Sequence, residues 1–213
     1  MYDENQVLPY CLPDPLELMS GEQVTDAQTW FRQRRPEILQ LFGTCMYGKV
    51  PPRPDEMSFS IFDNEPEALD GIAIRKQVHV SFSEGPGGPG MDILIYLPNR
   101  AAQPTPIFVG LNFGGNHQVH TDPAIKLSES WMRPGPGVVD HRATEDGRGM
   151  SAERWPVELI LARGYGLATI YYGDIDPDYD DGFQNGVHPL YYSEGQTQPA
   201  PDEWGSIGAW SWG

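Results

Sequence analysis

The sequence predicts an α/β fold in which an antiparallel hairpin precedes a parallel strand–helix–strand unit. Two stretches of alternating apolar and polar residues flank a turn rich in glycine and proline. Two continuous apolar runs follow, with a helical pattern between them. With 213 residues, 39% of them hydrophobic and 21% charged, the chain has a globular composition and enough length for a core.

Residues 1–24 are rich in proline and turn-forming residues, and we expect them to form an extended arm over the body. Thr25 or Asp26 is suited to cap a helix that reaches about Phe42. Pro36 falls inside this pattern, so we expect a kink or two abutting helices. The residues at helical spacing are Trp30, Arg34, Ile38 and the pair Leu41/Phe42.

Residues 72–82 and 91–97 alternate in polarity on either side of the turn 85–90. This pattern predicts two antiparallel strands with one buried face. The side chains predicted for that face are Ile72, Ile74, Val78, Val80 and Phe82, then Met91, Ile93, Ile95 and Leu97.

The run 107–111 is continuously apolar, as in a strand buried on both faces. After a long loop, a helix ending at Arg163-Gly164 leads into a second buried strand at 166–171. Strand, helix and strand predict a right-handed parallel crossover. Another loop, 173–201, leads to a closing helix near 202–212.

This element order gives residues 25–213 the form of a partial α/β domain. An α/β hydrolase begins in this way, with two antiparallel strands before the parallel set, although other mixed sheets also do so. Ligands of open parallel sheets bind beyond the carboxyl ends of the strands. Two loops are expected there, 112–117 and 173–178.

The first loop has the position and glycine content of an oxyanion loop, because glycine lets backbone N–H groups approach a developing negative charge. A tight turn that needs glycine only for its backbone angles is an equally good explanation. The candidate residues are Asn112, Phe113, Gly114, Gly115, Asn116 and His117.

Two clusters resemble metal sites, and for both we favour a structural role. His117, His120 and Asp122 lie close together, but their spacing fixes no third and fourth zinc ligands. Calcium loops of the EF-hand type need glycine at position six, which the acidic run after the last strand lacks. We therefore expect turn-forming and capping aspartates at Asp174, Asp176, Asp178, Asp180 and Asp181. No metal or other cofactor is predicted.

Ser211 lies in Ala209-Trp210-Ser211-Trp212-Gly213, which imitates a nucleophile elbow. A true elbow follows a hydrophobic strand directly, whereas the residues before Ser211 have helical spacing. We expect Ser211 to be a helix residue. No other serine has an elbow context, so no catalytic residue is assigned in this chain.

The formal charge of −16 makes nucleic-acid binding improbable, because such a surface repels phosphates. The apolar runs are too short to span a bilayer, and the first residues lack the basic and apolar regions of a signal peptide, so we expect none in this sequence. The only two cysteines, Cys11 and Cys45, are compatible with a disulfide or with two thiols.

Motifs along nearly the whole chain make it similar to the bacterial glucuronoyl esterases, carbohydrate esterases often labelled acetylxylan esterases. Each motif is weak alone, and their order and spacing make the match specific. They are Leu12-Pro13-Asp14-Pro15-Leu16, Arg34-Arg35-Pro36-Glu37-Ile38, Gly110-Leu111-Asn112-Phe113, Gly115-Asn116-His117, Arg154-Trp155-Pro156, Arg163-Gly164-Tyr165-Gly166, residues 171–177, and Glu203-Trp204-Gly205-Ser206-Ile207 with Ala209-Trp210.

This resemblance implies the N-terminal half of an α/β-hydrolase fold, truncated before the nucleophile elbow. It implies cleavage of esters between glucuronic acid on xylan and a lignin alcohol, by a Ser-His-acid triad without a metal. The family's Gly-x-Ser-Arg-x-Gly motif has no matching position here. We therefore expect the fragment alone to be inactive, with the missing C-terminal half of the domain as its partner and an extracellular or periplasmic parent. The ester alcohol, oligomeric state and further modules stay open.

A non-catalytic carbohydrate-binding or structural module derived from a hydrolase scaffold is the alternative. In that case exposed tryptophans would stack on sugar rings. Otherwise we expect them to pack against the missing half. The candidates are Trp131, Trp204, Trp210 and Trp212.

Overall fold

The computed structural model describes residues 3–85, 87–99 and 104–213. Its main sheet has the strand order β1-β2-β3-β7-β4, and a separate two-stranded ribbon joins β5 and β6. The strands are β1 (Ser58–Glu67), β2 (Ala73–Ser81), β3 (Gly90–Pro98), β4 (Ile107–Asn112), β5 (Val138–Val139), β6 (Arg142–Ala143) and β7 (Gly166–Tyr171).

In the described part of the chain, six α-helical segments and several single turns surround this sheet. The α-helices are α1 (Ala27–Thr29), α2 (Arg35–Cys45), α3 (Ala68–Gly71), α4 (Val157–Ala162), α5 (Tyr172–Ile175) and α6 (Ser206–Trp212). Trp30–Arg34 is a π-helix that joins α1 to α2, and the 3₁₀ turns are Glu4–Gln6, Asn116–Gln118, Glu145–Gly147 and His188–Tyr191.

The α/β fold predicted from the sequence is confirmed. β2 and β3 pair antiparallel. β4 and β7, which precede and follow α4 in the chain, pair parallel. A third antiparallel strand, β1, extends the hairpin and was not predicted. Its side chains are almost all exposed, so the strand lacks the alternation that marks a half-buried strand.

The prediction of one buried face on the hairpin is wrong, because each face is buried at a different end. On one face, α4 and the loop after β4 cover a cluster that includes Leu94, Tyr96 and Leu167. On the other face, α5 and α6 cover Val80 and Met91. Sequence alternation alone does not show which elements will cover each face.

The prediction that 107–111 is buried on both faces is also wrong. β4 is an edge strand, with Ile107, Phe108 and Val109 exposed by 43%, 55% and 74%. No described element covers these side chains. β7, between β3 and β4, is buried along its whole length as predicted.

The N-terminal helix begins at the predicted cap, where the Asp26 carboxylate accepts a hydrogen bond from the backbone N–H of Thr29 at 2.8 Å. It ends at Cys45, three residues beyond the predicted Phe42. The expected interruption at Pro36 is a π-helix immediately before the first turn of α2. Proline has no N–H to donate to a preceding carbonyl, so it suits the junction at which the hydrogen-bonding pattern changes from the π-helix to α2.

The arm is attached through Arg34, whose guanidinium is buried. Its Nε donates to the carbonyl of Pro15 at 3.0 Å, and Nη2 donates to the carbonyl of Asp14 at 3.3 Å. Nη1 pairs with Glu37, which also accepts from the backbone N–H of Met19 at 3.0 Å. Two of the resemblance motifs therefore meet at one contact.

Candidate functional site

The carboxyl ends of β4 and β7 lie at the same edge of the sheet, because the two strands are parallel and Asn112 pairs with Tyr171. Asp92 of β3 lies at this edge too, since Ile93 pairs with Ile170 in the antiparallel ladder. The loop 112–117 and helix α5 both begin here. Both loops that the sequence predicts at this edge are therefore found there.

Two asparagine amides brace the first loop. The buried Asn112 donates through Nδ2 to Asn116 Oδ1 at 2.7 Å and to Thr169 Oγ1 at 3.0 Å. Asn116 donates in turn to the carbonyl of Asp92 at 2.8 Å. The loop is thus fastened at both ends to β7 and β3, and its backbone is held in place before any substrate arrives.

The two glycines between these asparagines have different surroundings. Gly115 has φ +88°, and a Cβ there would lie 2.8 Å from the His117 ring. At Gly114 a Cβ would lie 2.0 Å from Gln118 Oε1. Within the described residues, neither glycine N–H donates a hydrogen bond. The loop is thus both a tight turn and a source of two unused backbone donors.

His117 lies beneath this loop and is fully buried. Burial, with a smaller effect from the charge of Arg148, lowers the pKa of His117 to about 4. Both ring nitrogens are without a hydrogen-bond partner among the described residues. The imidazole is therefore neutral at pH 7 and supports the loop from below. Phe113, by contrast, is 73% exposed and packs edge-on against Tyr172.

The side chains of His120 and Asp122 do not converge on one site, although the backbone of Asp122 binds the His120 ring. His120 Nε2 lies 2.9 Å from Glu158 Oε1, and its Nδ1 accepts the backbone N–H of Asp122 at 3.0 Å. In the described ranges no three histidine, cysteine, aspartate or glutamate side chains are arranged to hold a metal ion.

A buried ion-pair network that the sequence analysis missed ties the sheet to the loop after β4. Arg75 Nη1 lies 2.6 Å from Asp122 Oδ2, and its Nε lies 2.7 Å from Asp63 Oδ2. The Tyr96 hydroxyl donates to Asp122 Oδ2 at 2.7 Å. Burial raises the pKa of Asp122, but hydrogen bonds from Tyr96, the Ala124 N–H and Arg75 hold it below its ordinary value.

Asp174, in the second loop, is a buried acid with a raised pKa. It accepts the Ser130 hydroxyl at 2.6 Å and the backbone N–H of Asp92 at 3.2 Å. Burial outweighs these hydrogen bonds and raises the pKa of Asp174 to about 6.

The turn-forming interpretation is confirmed for Asp180 and Asp181 and is wrong for Asp174, Asp176 and Asp178. Asp180 and Asp181 accept backbone N–H groups within the next few residues, as in Asx turns. Asp178 accepts the Tyr172 hydroxyl at 2.7 Å and pairs with Arg133 at 2.8 Å. Asp176 differs, because it is buried and forms no such turn.

Ser211 lies on α6, as predicted, where it is exposed and has no strand before it. The expectation that the four tryptophans are exposed is wrong. Trp204 is buried, Trp210 donates to the carbonyl of Asp176 at 2.9 Å, and Trp212 packs edge-on against Phe82. These side chains build the core of this chain, because α6 folds back against the sheet.

Both cysteines are exposed free thiols. Within the described ranges, no helix combines the length and the hydropathy needed to cross a bilayer.

The fold and the edge described above define a class, an α/β domain with braced, glycine-containing loops at the carboxyl ends of its parallel strands. No protein-family model matches the chain. A carbohydrate esterase, MZ0003, from an unknown prokaryotic organism is 49% identical over 214 residues, which cover 100% of this chain and 49% of that protein.

Two solved structures share both sequence and fold with the chain. A glucuronoyl esterase from Solibacter usitatus is 47% identical with a TM-score of 0.90, over 98% of this chain and 53% of that protein. A promiscuous CE15 esterase from a marine bacterial metagenome is 48% identical with a TM-score of 0.84, over 99% and 53%. The resemblance to glucuronoyl esterases is confirmed, and the chain spans about half the length of these relatives.

Proposed function

We propose that this chain is the N-terminal part of a serine carboxylic-ester hydrolase that cleaves glucuronoyl esters of xylan. The observation that carries the proposal is the identity of 47–49% along essentially the whole chain to proteins described as glucuronoyl or carbohydrate esterases. The tryptophans on which the alternative binding module depends are mostly packed inside the chain, so that alternative receives no support from them.

The role proposed for the braced loop is to form the floor of the active site. Attack of a serine on an ester carbonyl places negative charge on the carbonyl oxygen, and fixed N–H donors stabilise that charge. The N–H groups of Gly114 and Gly115 are unused by the described residues, and Asn112 and Asn116 hold the loop in place. Donors that are fixed beforehand need no reorganisation during the reaction.

The catalytic serine, acid and histidine are proposed to lie outside these 213 residues. His117 is a poor general base, because it is buried and its pKa is far below 7. Ser211 is an exposed residue of α6 and forms no hydrogen bond with a histidine among the described residues. The fragment alone is therefore expected to be inactive and unlabelled by a fluorophosphonate probe. Labelling of Ser211 would contradict this proposal.

The decisive experiment compares two proteins, the 213-residue chain and the product that its gene encodes. The substrate is a methyl ester of 4-O-methylglucuronic acid, with acetylated xylan as the competing ester class. We expect hydrolysis of the glucuronoyl ester by the gene product and no turnover by the 213-residue chain. A gene product that cleaves only acetyl esters, or neither substrate, would contradict the proposed function.

Export to the periplasm or beyond is proposed from the resemblance. The proposed partner of the chain is the remaining half of the same domain, which would pair with the exposed edge of β4. Three apolar side chains at that edge are 43–74% exposed, so a covering strand would remove them from water.

A further inference from the structure

A polar pocket of about 360 Å³ lies beside the second loop at the carboxyl edge of the sheet. It is separate from the braced loop 112–117, none of whose residues line it. Most of its lining comes from the chain after β7, and the rest comes from Arg133 and from the first residue of α6. The lining residues are Arg133, Asp176, Asp178, Tyr179, Asp180, Asp181, Phe183 and Ser206.

Asp176 stands at the back of this pocket with only 2% of its surface exposed. Within the described ranges its carboxylate accepts no hydrogen bond, and the Nε2 atom of His188 lies 3.6 Å from its Oδ1. His188 is itself fully buried, with both ring nitrogens unpartnered in the same ranges. Buried polar groups in native proteins nearly always have partners, so this carboxylate calls for a hydrogen-bond donor in the pocket.

Tyr179 gives the pocket an aromatic side that is held in place before binding. Its ring centroid lies 4.6 Å from that of Trp131, and its hydroxyl accepts from Asn185 Nδ2 at 2.9 Å. The tyrosine is nevertheless 41% exposed. An aromatic face fixed in this way binds a flat apolar surface at little cost in side-chain entropy.

The charges around the pocket restrict what it can bind. Four carboxylates line it, and the one cation, Arg133, is already paired with Asp178 at 2.8 Å. An anionic group such as a uronate would be repelled. No metal-binding group of three or more side chains is found in the described residues. A neutral molecule with several hydroxyl donors and one apolar ring face satisfies both the carboxylates and the aromatic side.

We propose that this pocket binds a neutral sugar ring of the glycan that carries the ester, as a subsite distinct from the one for the uronoyl group. Sugar hydroxyls would donate to Asp176 and its neighbours, while one face of the ring would stack on Tyr179. This inference rests on the proposed function, because it takes the substrate to be a glucuronoyl ester on a neutral xylan backbone.

The test uses the chain in the form that its gene encodes, with unesterified xylotetraose as the probe in isothermal titration. Tyr179→Ala is expected to weaken binding about three- to tenfold, as loss of one aromatic contact does. Tyr165→Ala is the matched control, because Tyr165 is also 41% exposed and also stacks on an aromatic neighbour, Phe108, but does not line the pocket. Asp176→Asn is the second variant, and it is also expected to weaken binding.

Three results of the titration would overturn the proposal: no saturable binding of xylotetraose, equal affinity in Tyr179→Ala and Tyr165→Ala, or competition by free glucuronate. Hydrolysis of a methyl glucuronate ester, which carries no neutral glycan, separates this inference from the proposed function. Failure of the unmodified gene product on that ester refutes the function. If Tyr179→Ala hydrolyses the methyl glucuronate ester normally and its KM for the xylan-borne ester is unchanged, the subsite is refuted and the proposed function is not.

Discussion

Replacing Asp122 by alanine tests whether the buried ion-pair network holds the loop after β4 against the sheet. The side chains of Asp122 and Arg75 are each only 7% exposed, and their atoms approach to 2.6 Å. The substitution removes one of the two carboxylates around the guanidinium and the acceptor of the Tyr96 hydroxyl. Arg75 would then be left with Asp63 alone.

Loss of one partner from a buried ion pair costs about 3–5 kcal/mol, mostly because the other charge remains buried. For a domain of this size each kcal/mol shifts Tm by about 2–4 °C, so the expected decrease is about 6–20 °C. The effect should depend on pH with a definite sign. The pKa of Asp122 is held below its ordinary value, so its contribution is complete above about pH 4 and decreases as the pH falls through the folded-state pKa.

The measurement is urea unfolding of the gene product and its variants at pH 7 and at pH 3. Asp202→Ala serves as the control, because Asp202 also pairs with a cation, Lys49, but the pair is exposed to solvent. A much smaller loss is expected there. The reasoning is wrong if Asp122→Ala destabilises no more than Asp202→Ala at pH 7, or if its effect is the same at both pH values.

Three further predictions concern other features of the chain. Gly115→Ala should lower the free energy of unfolding by about 1–3 kcal/mol through the strain of its positive φ alone, and by more because the new Cβ clashes with the buried His117 ring. Gly21→Ala is the control for the strain, because Gly21 has the same φ of +88° and no neighbour within 4 Å of the new Cβ. In a carbon-13 NMR titration, the carboxyl of Asp174 should have its midpoint near pH 6, and a midpoint near 4 would contradict the assignment. Ser130→Ala should raise that midpoint, because the serine hydroxyl stabilises the carboxylate. Since the native state holds the proton, the contribution of Asp174 to stability decreases as the pH rises from about 4 to 6. The exposed apolar edge of β4 is expected to make the 213-residue chain self-associate. Val109→Lys at this edge should reduce that self-association in sedimentation velocity, and an unchanged distribution would show that β4 is not the contact.

The element order could be predicted from the sequence because each strand of the core has a clear hydrophobic pattern. β7 is buried throughout and reads as a continuous apolar run, and the hairpin strands alternate. β1 could not be found in this way, because Phe59 and Ile61 are both 60% exposed and the strand has no buried face. The exposure of β4 was missed for the opposite reason. The apolar run 107–111 is suited to burial, but the run itself does not show whether another element packs against it.

The candidate site was only partly predictable. Asn112–His117 could be located from its glycines and its place after a strand, but its braces come from Thr169 and Asp92, which are 57 and 24 positions away from their partners. The ion-pair network at Arg75 could have been suspected from one feature of the sequence. Arg75 and Gln77 occupy the hairpin face assigned to solvent, and two long polar side chains there also suit a buried hydrogen-bond network.

The π-helix at Trp30–Arg34 has a consequence for how the N-terminal region tolerates insertions and deletions. A π turn holds one more residue than an α turn, so everything before it is rotated relative to α2. Removing a single residue from this segment would remove the extra residue of the π turn and rotate the guanidinium of Arg34 away from the carbonyls of Asp14 and Pro15. Those two hydrogen bonds to the first two dozen residues would then be lost, although every apolar side chain that packs on the sheet would be unchanged.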